Sequence, residues 1–127
     1  MTRHVTLEQG LRIARAAVGG PIEVRDLGLL DAALQRPRTS LFGQEAYPGR
    51  YDKAAALLHS IVANHPFIDG NKRAGWLTLY VFCAKNGLDL EPVDDDAAYD
   101  LVVAVASGEL TEVRDIADML RSLTPGP

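Results

Sequence analysis

Apolar residues recur three or four positions apart along most of this chain, and that spacing is the strongest constraint on its fold. Side chains at this spacing share one face of an α-helix, so each run predicts an amphipathic helix. The main runs are Leu7, Leu11, Ala14 and Val18; Leu58, Ile61 and Val62; Ala98, Leu101, Val102 and Val105; and Val113, Ile116, Ala117 and Leu120. With a shorter run at "DLGLLDAALQ" and a more continuous one after Gly70, the sequence predicts an all-α fold of about six helices.

Capping and helix-breaking residues indicate where these helices begin and end. Thr6 and Gln9 have the spacing of a capping box, and Pro37 ends the second helix. Residues 38–50 are rich in glycine, proline and small polar residues, which predicts a long loop or a short hairpin. Residues 71–87 are apolar on nearly every side, so we expect them to form the buried central helix.

Length and composition exclude several classes of protein. The chain has 127 residues, 47% hydrophobic and 24% charged, which predicts one folded domain over residues 1–127, with disorder confined to the tail "LTPGP". The net charge of −4 gives no global attraction to nucleic acid, and no apolar run approaches the roughly 20 residues of a membrane helix. The single cysteine, Cys83, suits a reducing compartment, and its apolar neighbours predict a buried thiol. We therefore expect a cytoplasmic protein that binds neither membranes nor nucleic acid directly.

The densest polar cluster lies between two of the predicted helices, at residues 64–73, "NHPFIDGNKR". Pro66 cannot continue the preceding helix, and Gly70 allows both a tight turn and the close approach of a ligand. The backbone N–H groups of residues 70–73 then stand at a helix N-terminus, where the unpaired donors and the helix dipole attract anions.

The side chains of this cluster are those of a nucleotide site, although a purely structural helix–loop–helix junction explains them equally well at this point. Lys72 and Arg73 stand in the first helical turn, where the dipole disfavours cations unless an anion is bound. Together they suit a chain of phosphates, and Asp69 beside them suits Mg²⁺. Asn71 adds a neutral donor, and His65 can accept a proton near neutral pH.

Two further interpretations of polar residues carry less weight. A metal hydrolase would need His59, His65 and Asp69 together, but six residues turn a helix by about 600°, so the two histidines face different sides. Asp94–Asp96 precede the fifth helix, where an N-cap and a favourable first turn explain them better than a metal site does. Within the cluster, Phe67 is expected to anchor the loop in the core.

The stretch "HPFIDGNKR" resembles the signature of the Fic/Doc family, and most closely its Doc (death-on-curing) toxin branch. The resemblance extends through "GLLDAALQRP", "YDKAAALLHSIVANHPF" and the helical C-terminal part, so it covers most of the chain. It implies the compact helical Fic/Doc fold, with a flap at Arg38–Gln44 that aligns a target segment by backbone pairing.

The resemblance also implies a role for each residue of the motif. His65 would deprotonate a hydroxyl group on a target protein, and Asp69 would ligate Mg²⁺. The phosphates of ATP would be bound by Gly70, Asn71, Lys72 and Arg73.

Two positions depart from the pattern of the Fic enzymes that transfer AMP. Lys72 stands where that pattern has glycine, and Trp76, which we expect in the core, stands where it has a second arginine. In the Doc branch the lysine accompanies a reversed nucleotide and transfer of the γ-phosphate, so the resemblance implies a kinase. The family target is a threonine of elongation factor Tu, and the consequence is arrest of translation. AMP transfer is the first alternative, and a non-catalytic nucleotide- or protein-binding module is the second.

Control of the activity is expected to come from another protein. Some family members carry an inhibitory helix in which a serine or threonine is followed four residues later by glutamate and then by glycine or asparagine. No part of this sequence matches: Gln44 stands four residues after Ser40, and Thr111 four after Ser107. The resemblance therefore implies a separate, Phd-like antitoxin whose C-terminal segment folds onto the toxin.

Overall fold

The computed structural model of the protein describes residues 1–124. Of the tail "LTPGP", Leu123 is helical, so the expected disorder is wrong there, and residues 125–127 lie outside the described part. Its helices are α1 (Leu7–Val18), α2 (Leu27–Gln35), α3 (Arg50–Asn64), α4 (Asn71–Lys85), α5 (Asp95–Ala106) and α6 (Val113–Leu123). A short 3₁₀ helix (Arg36–Arg38) and the strands β1 (Ser40–Leu41) and β2 (Gln44–Glu45) lie between α2 and α3. The predicted all-α fold of about six helices is confirmed. None of the helices within residues 1–124 is both long and apolar enough to cross a bilayer.

Helix α3 occupies the centre of the fold. It packs against α2, α4, α5, α6 and the 3₁₀ helix, and nine of its 15 residues are buried. Its buried alanines, Ala54, Ala55 and Ala56, leave room for these neighbours to approach closely. The expectation that residues 71–87 form the central helix is therefore wrong, because α4 buries one face and leaves the other partly open.

The buried face of α4 lies directly against α3. At Gly75 a Cβ atom would come within 2.7 Å of Val62 Cγ2, so only glycine allows the two helices to approach this closely. On the other side of α4, Lys72 and Arg73 are exposed and Trp76 is half-buried. An apolar sequence pattern thus marked a helix that is buried on one side and lines a groove on the other.

Side-chain caps set the starts of several helices. Thr6 and Gln9 form the predicted capping box at the start of α1. Asp26 caps α2, its Oδ1 accepting a hydrogen bond from the Leu29 N–H at 3.0 Å. The carboxylate of Asp94 caps α5 in the same way, so the N-cap interpretation of this aspartate is confirmed.

A two-stranded antiparallel hairpin, which we call the hairpin, fills residues 40–45. Its strands are paired in the register Ser40 with Glu45 and Leu41 with Gln44. The two turn residues, Phe42 and Gly43, have φ angles of 51° and 76°, as a tight type I′ turn requires. Of the two predicted alternatives for residues 38–50, a long loop or a short hairpin, the hairpin is correct.

Candidate active site at the start of helix α4

The loop between α3 and α4, which we call the motif loop (residues 65–70), is attached to the segment that precedes α2. The carbonyl of Pro66 accepts hydrogen bonds from the backbone N–H groups of Arg25 at 2.8 Å and Asp26 at 3.0 Å. The N–H of Ile68 donates to the carbonyl of Glu23 at 3.0 Å. These bonds join main chain to main chain, so they hold the loop while leaving its side chains free for chemistry.

Asn71 holds the same loop from the inside. Its side chain, only 8% exposed, accepts a hydrogen bond from the N–H of Phe67 at 3.0 Å and donates one to the carbonyl of Phe67 at 2.9 Å. Phe67 is buried, as predicted, and fixes the loop to the core. The amide of Asn71 is thus engaged within the protein, and what remains at the helix N-terminus is its backbone N–H.

His65 presents its imidazole to solvent from a fixed backbone. The residue ends α3 in the left-handed conformation, with φ at 50°, which costs a non-glycine residue about 1 kcal/mol. The Arg25 guanidinium donates to the carbonyls of His65 and Asn64, at 2.7 Å each, and so satisfies the end of the helix. The His65 Nδ1 atom lies 3.5 Å from the Asn71 Nδ2 atom, which is too far to fix the tautomer of the ring. Strained residues of this kind cluster at functional sites.

Gly70 creates the helix N-terminus behind the motif loop. Its φ of 82° lies in the left-handed region, and a Cβ atom here would come within 2.6 Å of Val18 Cγ1. The first intrahelical bond of α4 runs from the Ala74 N–H to the Gly70 carbonyl at 2.9 Å. The N–H groups of residues 71–73 precede that bond, so they point out of the helix end as donors for an anion.

Three charged side chains surround this helix end. Asp69, Lys72 and Arg73 are all exposed, and within residues 1–124 neither cation has a carboxylate within ion-pair distance. Asp69 Oδ1 accepts the Gly70 N–H at 2.8 Å, which fixes the carboxylate beside the helix end and leaves its second oxygen free. One such carboxylate next to phosphate-binding groups fits Mg²⁺, which takes one or two protein carboxylates together with phosphate oxygens.

Two cavities open beside these residues. The larger, about 540 Å³, is a mainly apolar groove between α1, α4 and α5, and Lys72 and Arg73 lie at its rim. Trp76 packs partly against the core, as expected, and it also lines this groove. The smaller cavity, about 260 Å³, has Asp69 and Arg73 in its wall. Arg73 therefore borders both spaces.

The other polar groups singled out in the sequence do not form sites. His59 Nδ1 lies 2.8 Å from Arg36 Nη1, away from the motif loop, and burial and this guanidinium lower the pKa of His59. In the part of the chain that the structure describes, no three histidine, cysteine, aspartate or glutamate side chains come together as metal ligands. Cys83 is buried, as predicted, and burial raises its pKa to about 12. That thiol is inert at neutral pH.

Sequence analysis missed three residues that position the site and its surroundings. Arg25 binds the end of α3 from 40 residues away, and nothing in the local sequence marks it. Arg36 and Lys53 hold the segment that follows the hairpin, through bonds to Tyr47 and its neighbours. Only Lys53 could have been recognised from the sequence, because this charged residue stands four positions before Leu57, on the face of α3 that is buried.

A sharp turn, a helix N-terminus with free N–H donors, and a histidine and an acid beside two cations are the features expected of a protein of the Fic/DOC class. The model of the Fic/DOC family matches residues 4–83, more than half of the chain, and the protein belongs to this family.

Two relatives lie within the Doc branch that the sequence resembles. The chain is 45% identical over 108 residues to Toxin Doc of Mycolicibacterium smegmatis, covering 84% of this chain and 83% of that protein. It is 28% identical over 124 residues to Protein kinase doc of Escherichia phage P1, covering 95% of each. The predicted family is thus confirmed, and a homologue that is named a protein kinase supports a Doc-type kinase.

Proposed function

We propose that this protein is the toxin of a toxin–antitoxin pair and a protein kinase that uses ATP and Mg²⁺. Its target is a threonine hydroxyl of elongation factor Tu, whose modification stops translation in the cytoplasm. The relatives named Toxin Doc and Protein kinase doc support this class of activity. The target itself follows from the family resemblance of residues 65–73.

The observation that carries the proposal is the pair of unpaired cations at the start of α4. Lys72 and Arg73 occupy the end of the helix where the dipole is already positive, and no carboxylate within residues 1–124 neutralises them. A bound polyphosphate would supply the missing negative charge, with the N–H groups of residues 71–73 as additional donors.

The residues of the site have separate roles in phosphoryl transfer. His65 takes the proton from the target hydroxyl, whose oxygen then bonds to the γ-phosphorus while the bond to the bridging oxygen breaks and ADP leaves. Lys72 and Arg73 hold the phosphates and offset the charge that develops on them. Asp69 would hold Mg²⁺, which when bound neutralises part of the phosphate charge. Catalysis of this kind needs positioning and charge more than covalent chemistry.

AMP transfer is the second candidate, and the side chain at position 72 opposes it. Lys72 is exposed at the rim of the groove, where the Fic pattern that transfers AMP has glycine. Trp76 fills the position of that pattern's second arginine, so a phosphate-binding cation is replaced by an apolar ring. A silent binding module is the third candidate, and the intact set of His65, Asp69, Lys72 and Arg73 opposes it.

The groove between α1, α4 and α5 is our candidate for the contact with a Phd-like antitoxin. Its apolar wall, which includes Leu77 and Val102, suits the apolar face of a helical segment. Lys72 and Arg73 at the rim would attract acidic residues of that segment, which would then block the phosphate site. A Val103→Arg substitution, at a half-buried residue that also lines the groove, should weaken binding of the antitoxin by at least about tenfold in calorimetry while leaving ATP binding unchanged.

Intact-mass spectrometry of elongation factor Tu after incubation with the protein, Mg²⁺ and ATP tests the proposed chemistry. We expect a gain of ~80 Da, one phosphoryl group, and its loss with His65→Ala. A gain of one adenylyl group would instead establish AMP transfer and overturn the role given to Lys72. An unmodified factor together with undetectable ATP binding would favour the silent module.

A further inference from the structure

Lys53 is a buried lysine near the start of α3. It lies in the first turn of α3 and is 2% exposed, and lysine is almost never buried unless its charge is fully paired. Its ammonium group donates hydrogen bonds to the carbonyls of Tyr47 and Pro48, the latter at 3.2 Å, and lies 3.0 Å from the carboxylate of Glu45. One of these oxygens belongs to the last residue of β2 and two to the residues that follow it, so one buried charge binds three oxygen atoms at the base of the hairpin, residues 45–48.

Arg36 holds the same segment through the side chain of Tyr47. Its Nε donates to the Tyr47 hydroxyl at 3.1 Å, and its guanidinium lies over the Tyr47 ring, 5.5 Å from the ring centre. Its Nη1 donates to the Ser60 hydroxyl at 2.8 Å, so the contact continues to the middle of α3. Ser60 precedes His65 by five residues, about 8 Å along the same helix. The base of the hairpin and His65 are thus attached to one rigid element.

A stabilising role alone is a poor explanation of a buried lysine. Replacing a buried ion pair by apolar residues of similar size is often neutral or stabilising, because desolvation of the charges offsets much of their attraction. An apolar side chain has no hydrogen-bond donor, so it could not hold three oxygen atoms at fixed positions as the Lys53 ammonium does. Glu45 is moreover the last residue of β2, so the position of Lys53 determines how the hairpin leaves the body of the protein.

We infer that Lys53 is a positioning residue that sets the orientation of the hairpin relative to α3, the helix that leads to His65. The inference rests on the proposed function in one respect, that the hairpin aligns the segment of the protein substrate that carries the hydroxyl. Removing the ammonium group would let the hairpin swing about its base while His65 and the phosphate-binding end of α4 stay in place. Binding of the protein substrate would therefore weaken, while binding of ATP would not change.

The test compares Lys53→Met with Lys85→Met. Lys85 is the matched control because its ammonium also donates to a backbone carbonyl, that of His4 at 3.0 Å, and to the Gln9 side chain at 2.9 Å, but neither partner belongs to the hairpin or to the residues that follow it. With elongation factor Tu as the substrate, Lys53→Met should raise KM for that protein about tenfold or more and change kcat less. The Kd for a non-hydrolysable ATP analogue should stay within about twofold, and Lys85→Met should alter neither quantity.

A second variant and a second measurement keep the inference testable if Lys53→Met folds poorly. Glu45→Ala removes one partner from the exposed side, since the Glu45 side chain is 59% exposed, and should raise KM in the same direction by a smaller factor. NMR order parameters of residues 40–45 should fall in both variants and stay unchanged in Lys85→Met. Unchanged order parameters, or an equal rise in KM with Lys85→Met, would overturn the inference. Absence of transfer by the wild-type protein would refute the proposed function alone, because the order parameters test Lys53 without any activity.

Discussion

The hairpin precedes α3 and the motif loop follows it, and the protein fixes the two segments in opposite ways. The motif loop is fixed along its length, by main-chain bonds such as that from Arg25 to Pro66 and by the buried amide of Asn71. The hairpin is fixed only at its base, by the charges of Arg36 and Lys53. Backbone hydrogen bonds along the motif loop restrict its movement throughout. The hairpin is attached only at its base among the described residues, so its tip can move.

This difference suits two different tasks. A residue that takes a proton or holds a phosphate must stay within a few tenths of an ångström of its position, so the motif loop presents reactive side chains from an immobile backbone. A segment that meets a protein partner must adapt to it. The tip of the hairpin is correspondingly open: Leu41 is exposed, and Phe42 is 104% exposed with a left-handed φ of 51°.

The largest effect is expected from removing the amide that holds the motif loop. Asn71→Ala would leave the buried N–H and carbonyl of Phe67 without partners, at about 1–3 kcal/mol each, so the free energy of unfolding should fall by about 2–6 kcal/mol. The exposed Asn64→Ala is the control and should change it by less than about 0.5 kcal/mol. Chemical denaturation measures both. Equal stability of the two variants would show that the loop does not depend on Asn71.

Glycine-to-alanine substitutions compare how tightly the two segments are packed. Gly70 and Gly43 have φ angles of 82° and 76°, so alanine at either position pays about 1 kcal/mol for the left-handed conformation. Only at Gly70 does a Cβ atom meet another residue, Val18 Cγ1 at 2.6 Å, whereas nothing lies within 4 Å at Gly43. Gly70→Ala should therefore lose roughly 1–3 kcal/mol more than Gly43→Ala. Thermal unfolding of the pair is the measurement, and equal losses would mean that the motif loop is as free to adjust as the hairpin.

The smallest expected effect is a dependence of stability on pH through His59, which contacts Arg36, one of the residues that hold the base of the hairpin. Burial and the Arg36 guanidinium hold the pKa of His59 below its ordinary value of 6.5 in the folded protein, against an opposing contribution from Glu112. Below about pH 6.5 the unfolded chain therefore binds a proton at His59 more readily than the folded chain does. The free energy of unfolding consequently falls as the pH is lowered through this range. Arg36 would also lose His59 as an acceptor.

The measurement for His59 is the free energy of unfolding at about pH 8 and about pH 5.5. His59→Gln keeps an acceptor for Arg36 and removes the titration, so its stability should decline less over this range than that of the wild type. The difference between the two proteins isolates residue 59, because His4, whose pKa burial also lowers, titrates in both. Identical declines would show that His59 does not couple to folding.

Sequence analysis succeeded where local rules decide the structure. The three-and-four spacing of apolar residues located the helices, capping residues such as Thr6 and Asp94 located helix starts, and the nine-residue motif identified the family. The roles of His65, Asp69 and the two cations stay predictions, supported by their exposure at one end of α4. The central helix was misassigned, because the alanines of α3 make it look less apolar than α4.

The remaining features depend on contacts between residues far apart in the sequence. Arg25 reaches the end of α3 across 40 residues, and Lys53 binds carbonyl groups whose position depends on the path of the hairpin. Backbone carbonyls carry no sequence signature, so a side chain that binds them cannot be identified without the fold. The dual environment of Trp76 is of the same kind, since only the placement of α1 and α5 shows that one side of its ring faces a groove.

The buried thiol of Cys83 makes the protein convenient for spectroscopy. It is the only cysteine in the chain, and a pKa of about 12 leaves it almost without the thiolate that alkylating reagents require at neutral pH. A cysteine placed at the hairpin tip by Phe42→Cys would therefore be the one reactive thiol, with no need to remove the native one first. A fluorophore attached there would report directly on movement of the tip as a protein partner arrives.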